Sequence, residues 1–292
     1  MNIFVIGDFM LDYYIEGTVE RISPEAPVQV LDVKNNYYKL GGAGNVVLNL
    51  AALDVNVYCF GITGTGTYSD ILENNLSKYT SKYYLKRITN KTIVKTRVIA
   101  DQGTQLLRID KEDKSYFNYD ICSVIDLTNI NIKESDLIIV SDYAKGTINQ
   151  SVMNYLKSFD IPIIVDPKPK NINLYENVYA ITPNKFELEK INKNINVLNS
   201  IKYIVETRGD EGIIVHNDYN TEIIPGKKRQ VYNVTGAGDT VVSILAICIV
   251  LGYDIITSAK IANEAGGLVV EKPGTSNITL DEFDEIKAKM LP

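Results

Sequence analysis

Histidine is almost missing from this chain. Of 292 residues one, His216, is histidine, and three, Cys59, Cys122 and Cys248, are cysteine. The cysteines lie far apart and form no CxxC pair, so they read as buried thiols of a reducing compartment, not as disulfides or a zinc site. His216 closes the apolar stretch GIIVH and reads as a strand end. A Ser-His-Asp hydrolase would have to use it, and no GxSxG elbow is present. Long hydrophobic runs are missing too. The longest, Val241 to Leu251, is interrupted by Ser243 and is too short to span a bilayer. It reads as a helix buried on all sides. The opening MNIFVIGD lacks a basic n-region and a long apolar h-region, so it is a strand signal, and a cytoplasmic location is expected. Nor is there an excess of positive charge. A formal net charge of -6 argues against general attraction to nucleic acid or anionic membrane and leaves room only for a local basic pocket.

What is present is a globular composition, 45% hydrophobic and 23% charged, on a chain long enough for one large domain or two ordinary ones. IFVIG, VYCFG, DLIIVSD, IPIIVDP, VYAITPN and IKYIVETRG read as strands without polar alternation, as in a parallel sheet covered on both faces. Between them lie helical patterns: GAGNVVLNLAAL, INQSVMNYLKSF and NKFELEKI. Thr279 and Glu282 form a T-x-x-E capping box before DEFDEIKAKML. Alternating strand and helix predicts a doubly wound α/β fold with a mostly parallel sheet between helices.

Two regions break that rhythm. DYYIEGTVE and PVQVLDVKNNYYKL, about residues 12–40, read as strands with no intervening helix, as do KTIVKTRVIAD and TQLLRIDKED, about 91–112. They are expected to form a small β-sheet inserted into a single domain of residues 1–292. It is either an antiparallel extension of the main sheet or a lid over the strands' C-terminal ends, where α/β folds bind ligands.

Polar residues gather at those ends: Asp8 and Asp12, Gly41-Gly42 and Asn45, Asp142 and Lys145, Asp166 and Lys168, Asn184 and Glu187, Thr207-Arg208-Gly209. Each alone is a helix cap or a turn residue. Together they favour a site. Gly236, Ala237 and Gly238 precede the long apolar helix, so their N–H groups suit an anion hole with Asp239 in the first turn beside it. A plain glycine turn is the alternative. No Walker A or GxGxxG motif is present.

NVTGAGDT resembles the C-terminal signature of the PfkB, or ribokinase-like, carbohydrate kinases. LGGAGNVVLNLAALD resembles their N-terminal glycine signature, and PNKFE their N-x-x-E motif. Within that family GDFMLDYYIEGTVERISPEAPVQV, LLRIDKED, SDYAKG, VDPK and EKPGTSNIT are similar to the heptose 7-phosphate kinases of ADP-heptose synthesis. The resemblance implies ATP as phosphoryl donor, Mg²⁺, and a phosphorylated sugar as acceptor. It implies Asp239 as the base, with the Gly236, Ala237 and Gly238 amides stabilising the transferred phosphoryl group. Asn184, Lys185, Phe186 and Glu187 would serve the cofactor, Asn184 and Glu187 positioning the metal. Thr207, Arg208 and Gly209 would lie at the nucleotide phosphates and Asn263 near the nucleoside. Asp8, Asp12, Gly41, Gly42 and Asn45 would hold sugar hydroxyls. Arg108, Lys145 and Lys168, with Asp142 beside them, would serve the substrate's own phosphate. Arg108 and Lys145 have a structural alternative, ion pairs with Asp110 and Asp142.

Two positions depart from the family pattern. Asn233 stands where an aspartate is usual, which removes a charge from the region that helps hold a monovalent cation, and Gly44 replaces the second alanine of GGAAN. Bifunctional relatives continue into a nucleotidyltransferase domain whose HxGH-type signature is not found here, so a stand-alone kinase or half of a longer protein is expected. Exposed lid edges predict a homodimer through Val28–Val33 or Ile93–Ile99.

Overall fold

The computed structural model describes residues 1–89, 91–112, 132–217, 220–272, 274 and 276–290. Cys122 and parts of LLRIDKED and EKPGTSNIT lie outside them.

A nine-stranded sheet forms the body, in the order β13-β12-β11-β10-β9-β8-β1-β4-β5. Its strands are β1 (Asn2–Gly7), β4 (Asn56–Gly64), β5 (Lys82–Thr89), β8 (Leu137–Ser141), β9 (Ile163–Asp166), β10 (Ala180–Ile181), β11 (Tyr203–Thr207), β12 (Gly212–His216) and β13 (Thr221–Pro225). Neighbours run parallel from β5 through to β11, and only β12 and β13 add antiparallel. β1 and β8 are buried along nearly their whole length, as the unbroken apolar runs require. VYAITPN contributes only the two-residue β10; Thr182 N–H still donates to the Val165 carbonyl, and Pro183 after it cannot donate to a ladder.

Helices cover both faces. On one side lie α1 (Ala43–Ala51), α6 (Ala237–Val250), α7 (Ile255–Val269) and α8 (Leu280–Met290). On the other lie α3 (Gln150–Lys157), α4 (Lys185–Ile191) and α5 (Ile195–Leu198), while α2 (Thr67–Leu76) packs beside β4. α6 is buried from Asp239 to Cys248, the all-round burial its sequence predicts. Ile244, Leu245 and Ile247 are each worth roughly 1.5–3 kcal/mol of transfer energy there. α8 starts with the expected box: Glu282 N–H donates to Thr279 Oγ1 and Thr279 N–H to Glu282 Oε2. Cys59 and Cys248 are buried free thiols.

Strand order reverses at β1 and β8. The chain runs outward from β1 to β4 and β5 on one side and from β8 to β11 on the other, leaving a crevice at their C-terminal ends. The lid stands beside it. β2 (Phe9–Ile22) begins one residue after Asp8, and β3 (Gln29–Gly42) ends where α1 begins. With β6 (Val94–Ala100) and β7 (Thr104–Lys111) they make a separate sheet, ordered β3-β2-β6-β7. It is thus a distinct sheet and not an extension of the main one. β2 pairs with β6 in parallel, setting Asp12 opposite Lys95 and Tyr14 opposite Arg97. That order corrects one expectation: Ile93–Ile99 lies inside the lid sheet, not at an edge, because β6 is flanked by β2 and β7. β3 is an edge, and Val33 on it is 49% exposed.

Candidate active site

The site is built around the start of α6. Gly236 sits at φ +88°, a left-handed conformation that glycine adopts without strain, and turns the chain into the helix. A Cβ on Gly238 would meet nothing within 4 Å, so the space in front of the helix terminus is open. Helix-start N–H groups lack intrahelical partners and carry partial positive charge, which suits an anion there.

Asp239 follows in the first turn and is buried. Its Oδ2 accepts from Asn45 Nδ2 at 2.7 Å and its Oδ1 from the Tyr143 hydroxyl at 3.1 Å. Burial pushes its carboxyl up to about 6. The Asn45 and Tyr143 hydrogen bonds pull the other way, Asp12 adds to the rise, and Lys95 opposes it. Such a carboxylate is largely ionised at neutral pH yet basic enough to accept a proton.

Asn45 reaches Asp239 because α1 begins at a close turn. Gly42 has φ +58°, and a Cβ there would stand 2.4 Å from the Asp8 carbonyl oxygen. On Gly41 it would stand 2.8 Å from Asp12 Oδ2. Both glycines let the turn press against β2. Asn49 and Thr240 then tie the helices: Thr240 Oγ1 donates to Asn49 Oδ1, and Asn49 Nδ2 to the Asn45 carbonyl. Asn45 Oδ1 is buried with no protein partner among the described residues. A buried unpaired oxygen is costly unless a ligand or water donates to it.

Several site residues went unseen in the sequence. Tyr143, from SDYAKG, is one. Lys95 and Arg97, two apart and so on one face of β6, reach the crevice from the lid. Arg97 Nη1 contacts Asp12 Oδ1 at 2.6 Å, with both side chains nearly buried. Lys95 Nζ lies 5.2 Å from the Tyr143 ring centroid and Lys168 Nζ 5.4 Å. Burial lowers the Lys95 ammonium's proton affinity, and no carboxylate among the described residues is within ion-pair distance of it. Asp166, noted only as a rim residue, is pushed well above the usual carboxylate range by burial and by Asp239. The alternation K-T-R within a lid strand was the signal available for Lys95 and Arg97.

On the other side, Asn184 caps α4. Its side chain accepts from Glu187 N–H, and Glu187 Oε2 accepts from Asn184 N–H, a full capping box. Glu187 Oε1 also holds Lys168 Nζ at 2.5 Å. Burial works against the Lys168 ammonium, but Glu187 and Asp166 raise its proton affinity overall. Thr207 bridges to Asn184 at the strand ends, and Arg208 forks onto the buried Glu206. Gly209 is left-handed with open space in front, Lys185 faces Glu211 at 3.7 Å, and Phe186 is exposed. Asn263 donates to the Pro225 carbonyl. Asn233 accepts from Thr235 N–H in a local turn. Among the described residues no group of three or more His, Cys, Asp or Glu is arranged to hold a metal ion.

Four residues expected at the substrate have protein partners, and for Arg108 the partner is the structural alternative, Asp110. Asp8 is buried and its carboxylate takes the N–H groups of Tyr143, Lys145 and Thr147 at 2.8–3.1 Å, so it fixes the loop after β8. Asp142 is likewise buried, accepting from Ala144 N–H, Asn171 and the Tyr175 hydroxyl. Burial and Asp8 push its carboxyl up to about 6. Arg108 is half exposed, and its fork is taken by Asp110 at 2.9 and 3.0 Å. Lys145 pairs with Glu112 at 2.6 Å, not with Asp142.

A family model described as "pfkB family carbohydrate kinase" matches residues 1–282. The chain belongs to that family. It is a carbohydrate kinase, a phosphotransferase with an alcohol group as acceptor. Among curated proteins it is similar to the bifunctional protein HldE of Aliarcobacter butzleri, 37% identical over 99% of this chain and 65% of the relative. HldE of Campylobacter curvus is 36% identical over 98% and 65%. The chain thus spans about 65% of the length of these relatives. Solved structures share the fold. The phosphofructokinase-2 of Escherichia coli in complex with potassium has a TM-score of 0.79 at 16% identity, covering 99% of both chains. Arabidopsis thaliana ribokinase complexed with ribose and ATP has a TM-score of 0.74 at 18% identity, covering 98% of both. No helix among the described residues is long and apolar enough to cross a membrane.

Proposed function

We propose that this kinase uses ATP to phosphorylate the C1 hydroxyl of D-glycero-β-D-manno-heptose 7-phosphate, giving the 1,7-bisphosphate for ADP-heptose and lipopolysaccharide core synthesis. The observation that carries the reading is the buried Asp239 carboxylate, held between Asn45 and Tyr143 at the mouth of the α6 anion hole. Asp239 accepts the proton of the attacking hydroxyl, while the Gly236–Gly238 turn faces the transferred phosphoryl group. Asn45 Oδ1, unpaired among the described residues, accepts from a sugar hydroxyl. Asp12, set by Arg97, faces the same space.

The heptose assignment is supported by the HldE relatives and by the cations at the crevice. Lys95 is the best candidate to meet the substrate's phosphate, since Arg108, Lys145 and Lys168 each have a carboxylate partner already. Those pairings also favour a second reading, a family kinase for an unphosphorylated sugar or nucleoside. A retired, non-catalytic homologue is disfavoured by the retained Asp239.

Asn184 and Glu187 fit Mg²⁺, which retains waters and asks for one or two carboxylates besides substrate phosphates. Each Glu187 oxygen has one protein donor and a lone pair to spare. The ion supplies neutralisation of phosphate charge. Lys185, Phe186, Thr207, Arg208, Gly209 and Asn263 line the nucleotide side. Asn233 leaves a monovalent cation without the family's usual carboxylate. The chain is proposed to be one domain, cytoplasmic, and a homodimer through the exposed β3 edge of the lid. A fully active monomer in light scattering would contradict the last point. The main test is ATP consumption over a panel of free and phosphorylated sugars. Turnover confined to phosphorylated heptose is expected, and equal use of the free sugar would overturn it.

A further inference from the structure

Of the two donors on Asp239, Asn45 lies in the glycine signature, whereas Tyr143 comes from the loop after β8. We propose that Tyr143 is a positioning residue that aims the Asp239 carboxylate and keeps it an acceptor for the sugar hydroxyl. The proposal rests on Asp239 being the base.

The loop is built to hold that hydroxyl still. Tyr143 N–H is anchored on Asp8 Oδ2 at 2.8 Å, as are the N–H groups of Lys145 on the same oxygen and Thr147 on Oδ1. Ala144 takes φ +55°, an uncommon conformation for a residue with a Cβ, and its N–H is caught by Asp142. The ring is fixed by two ammonium groups, Lys95 and Lys168, 5.2 and 5.4 Å from its centroid. Burial and the neighbouring Asp239 keep the phenol protonated, so it remains a donor while the carboxylate titrates. Asp8 thereby acquires a role two steps from the chemistry, as the anchor of the Tyr143 loop.

The charged and titratable groups facing Asp239 are Asp12 from β2, Lys95 from β6, Tyr143 from the β8 loop and Asp166 from the end of β9. α1 offers the neutral Asn45, and the buried face of α7 carries no charge. Of the four titratable groups, Tyr143 alone donates a hydrogen bond to the carboxylate; the other donor is the neutral Asn45. Deleting the hydroxyl while keeping the ring removes a bond made to the ionised form, so the carboxyl must become harder to ionise.

The test is the pH dependence of kcat/KM for Tyr143→Phe, using whichever sugar the panel shows to be turned over. It is joined by a carbon-13 titration of the Asp239 carboxyl in substrate-free protein. The acid limb and the titration should both move upward by roughly half to one pH unit, one hydrogen bond's worth, with ATP's KM unchanged. A loss of turnover with both midpoints at wild-type values would overturn the proposal. Should Tyr143→Phe fail to fold, 3-fluorotyrosine at 143, a stronger donor, must move both midpoints downward, and unmoved midpoints overturn it equally. Asp239→Asn separates the two readings: near-normal turnover there defeats the base itself, whatever Tyr143 does to the titration.

Discussion

Asp239→Asn should make the protein slower and more stable at once. The carboxyl is buried and raised from 3.8 to about 6, so the folded state binds its proton more tightly than the unfolded chain does. That preference stabilises fully below pH 4 and is lost as pH rises through 6. Two pH units correspond to about 3 kcal/mol, the burden wild type carries at pH 8 and an uncharged residue does not. Asparagine also satisfies its neighbours. Its carbonyl accepts from Asn45 Nδ2, and its amide donates to the Tyr143 oxygen, which accepts as readily as it donates. Urea unfolding of both proteins at pH 8, 6 and 4 tests this. The variant should be more stable by up to about 3 kcal/mol at pH 8, with the gap closing by pH 4, while kcat falls about 10²–10⁴-fold. A gap that is absent at pH 8, or that does not narrow in acid, would refute the reasoning.

Two substitutions probe the cations and the metal side. Lys95→Met should raise the phosphorylated sugar's KM at least about tenfold and spare ATP's, since a charged hydrogen bond contributes about 1.5–3 kcal/mol. Arg108→Ala, already forked on Asp110 at the surface, should change that KM less than about threefold. Steady-state kinetics with both substrates varied would show the reverse order if Arg108 reads the phosphate. Glu187→Gln keeps a capping-box residue at the start of α4 but loses the charge, so activity should need more Mg²⁺ while ATP binding in EDTA holds. Superimposable Mg²⁺ titrations would count against the metal role.

The body of the fold was readable because unbroken apolar runs and helical spacing are local signals. So was the start of α6, where glycine conformation and helix polarity act within a few residues. The lid was readable only as strands. Which of them pair, and that β6 runs parallel inside the sheet, depends on contacts across more than eighty residues that no local pattern encodes. Lys95, Arg97 and Tyr143 escaped notice for the same reason: each enters the crevice through pairing or a loop anchored on Asp8. The rim carboxylates Asp8 and Asp142 look like ligands in sequence, and only the structure shows the amide and hydroxyl donors that each already holds.

The central claim is phosphoryl transfer to an anomeric hydroxyl with Asp239 as base. Phosphorus-31 NMR of the product from D-glycero-β-D-manno-heptose 7-phosphate and MgATP tests it most directly. One new phosphate resonance coupled to the C1 proton, beside the retained 7-phosphate and absent with Asp239→Asn, is the predicted result. Phosphate on any other carbon, no transfer to this sugar, or the same product rate from Asp239→Asn would contradict it.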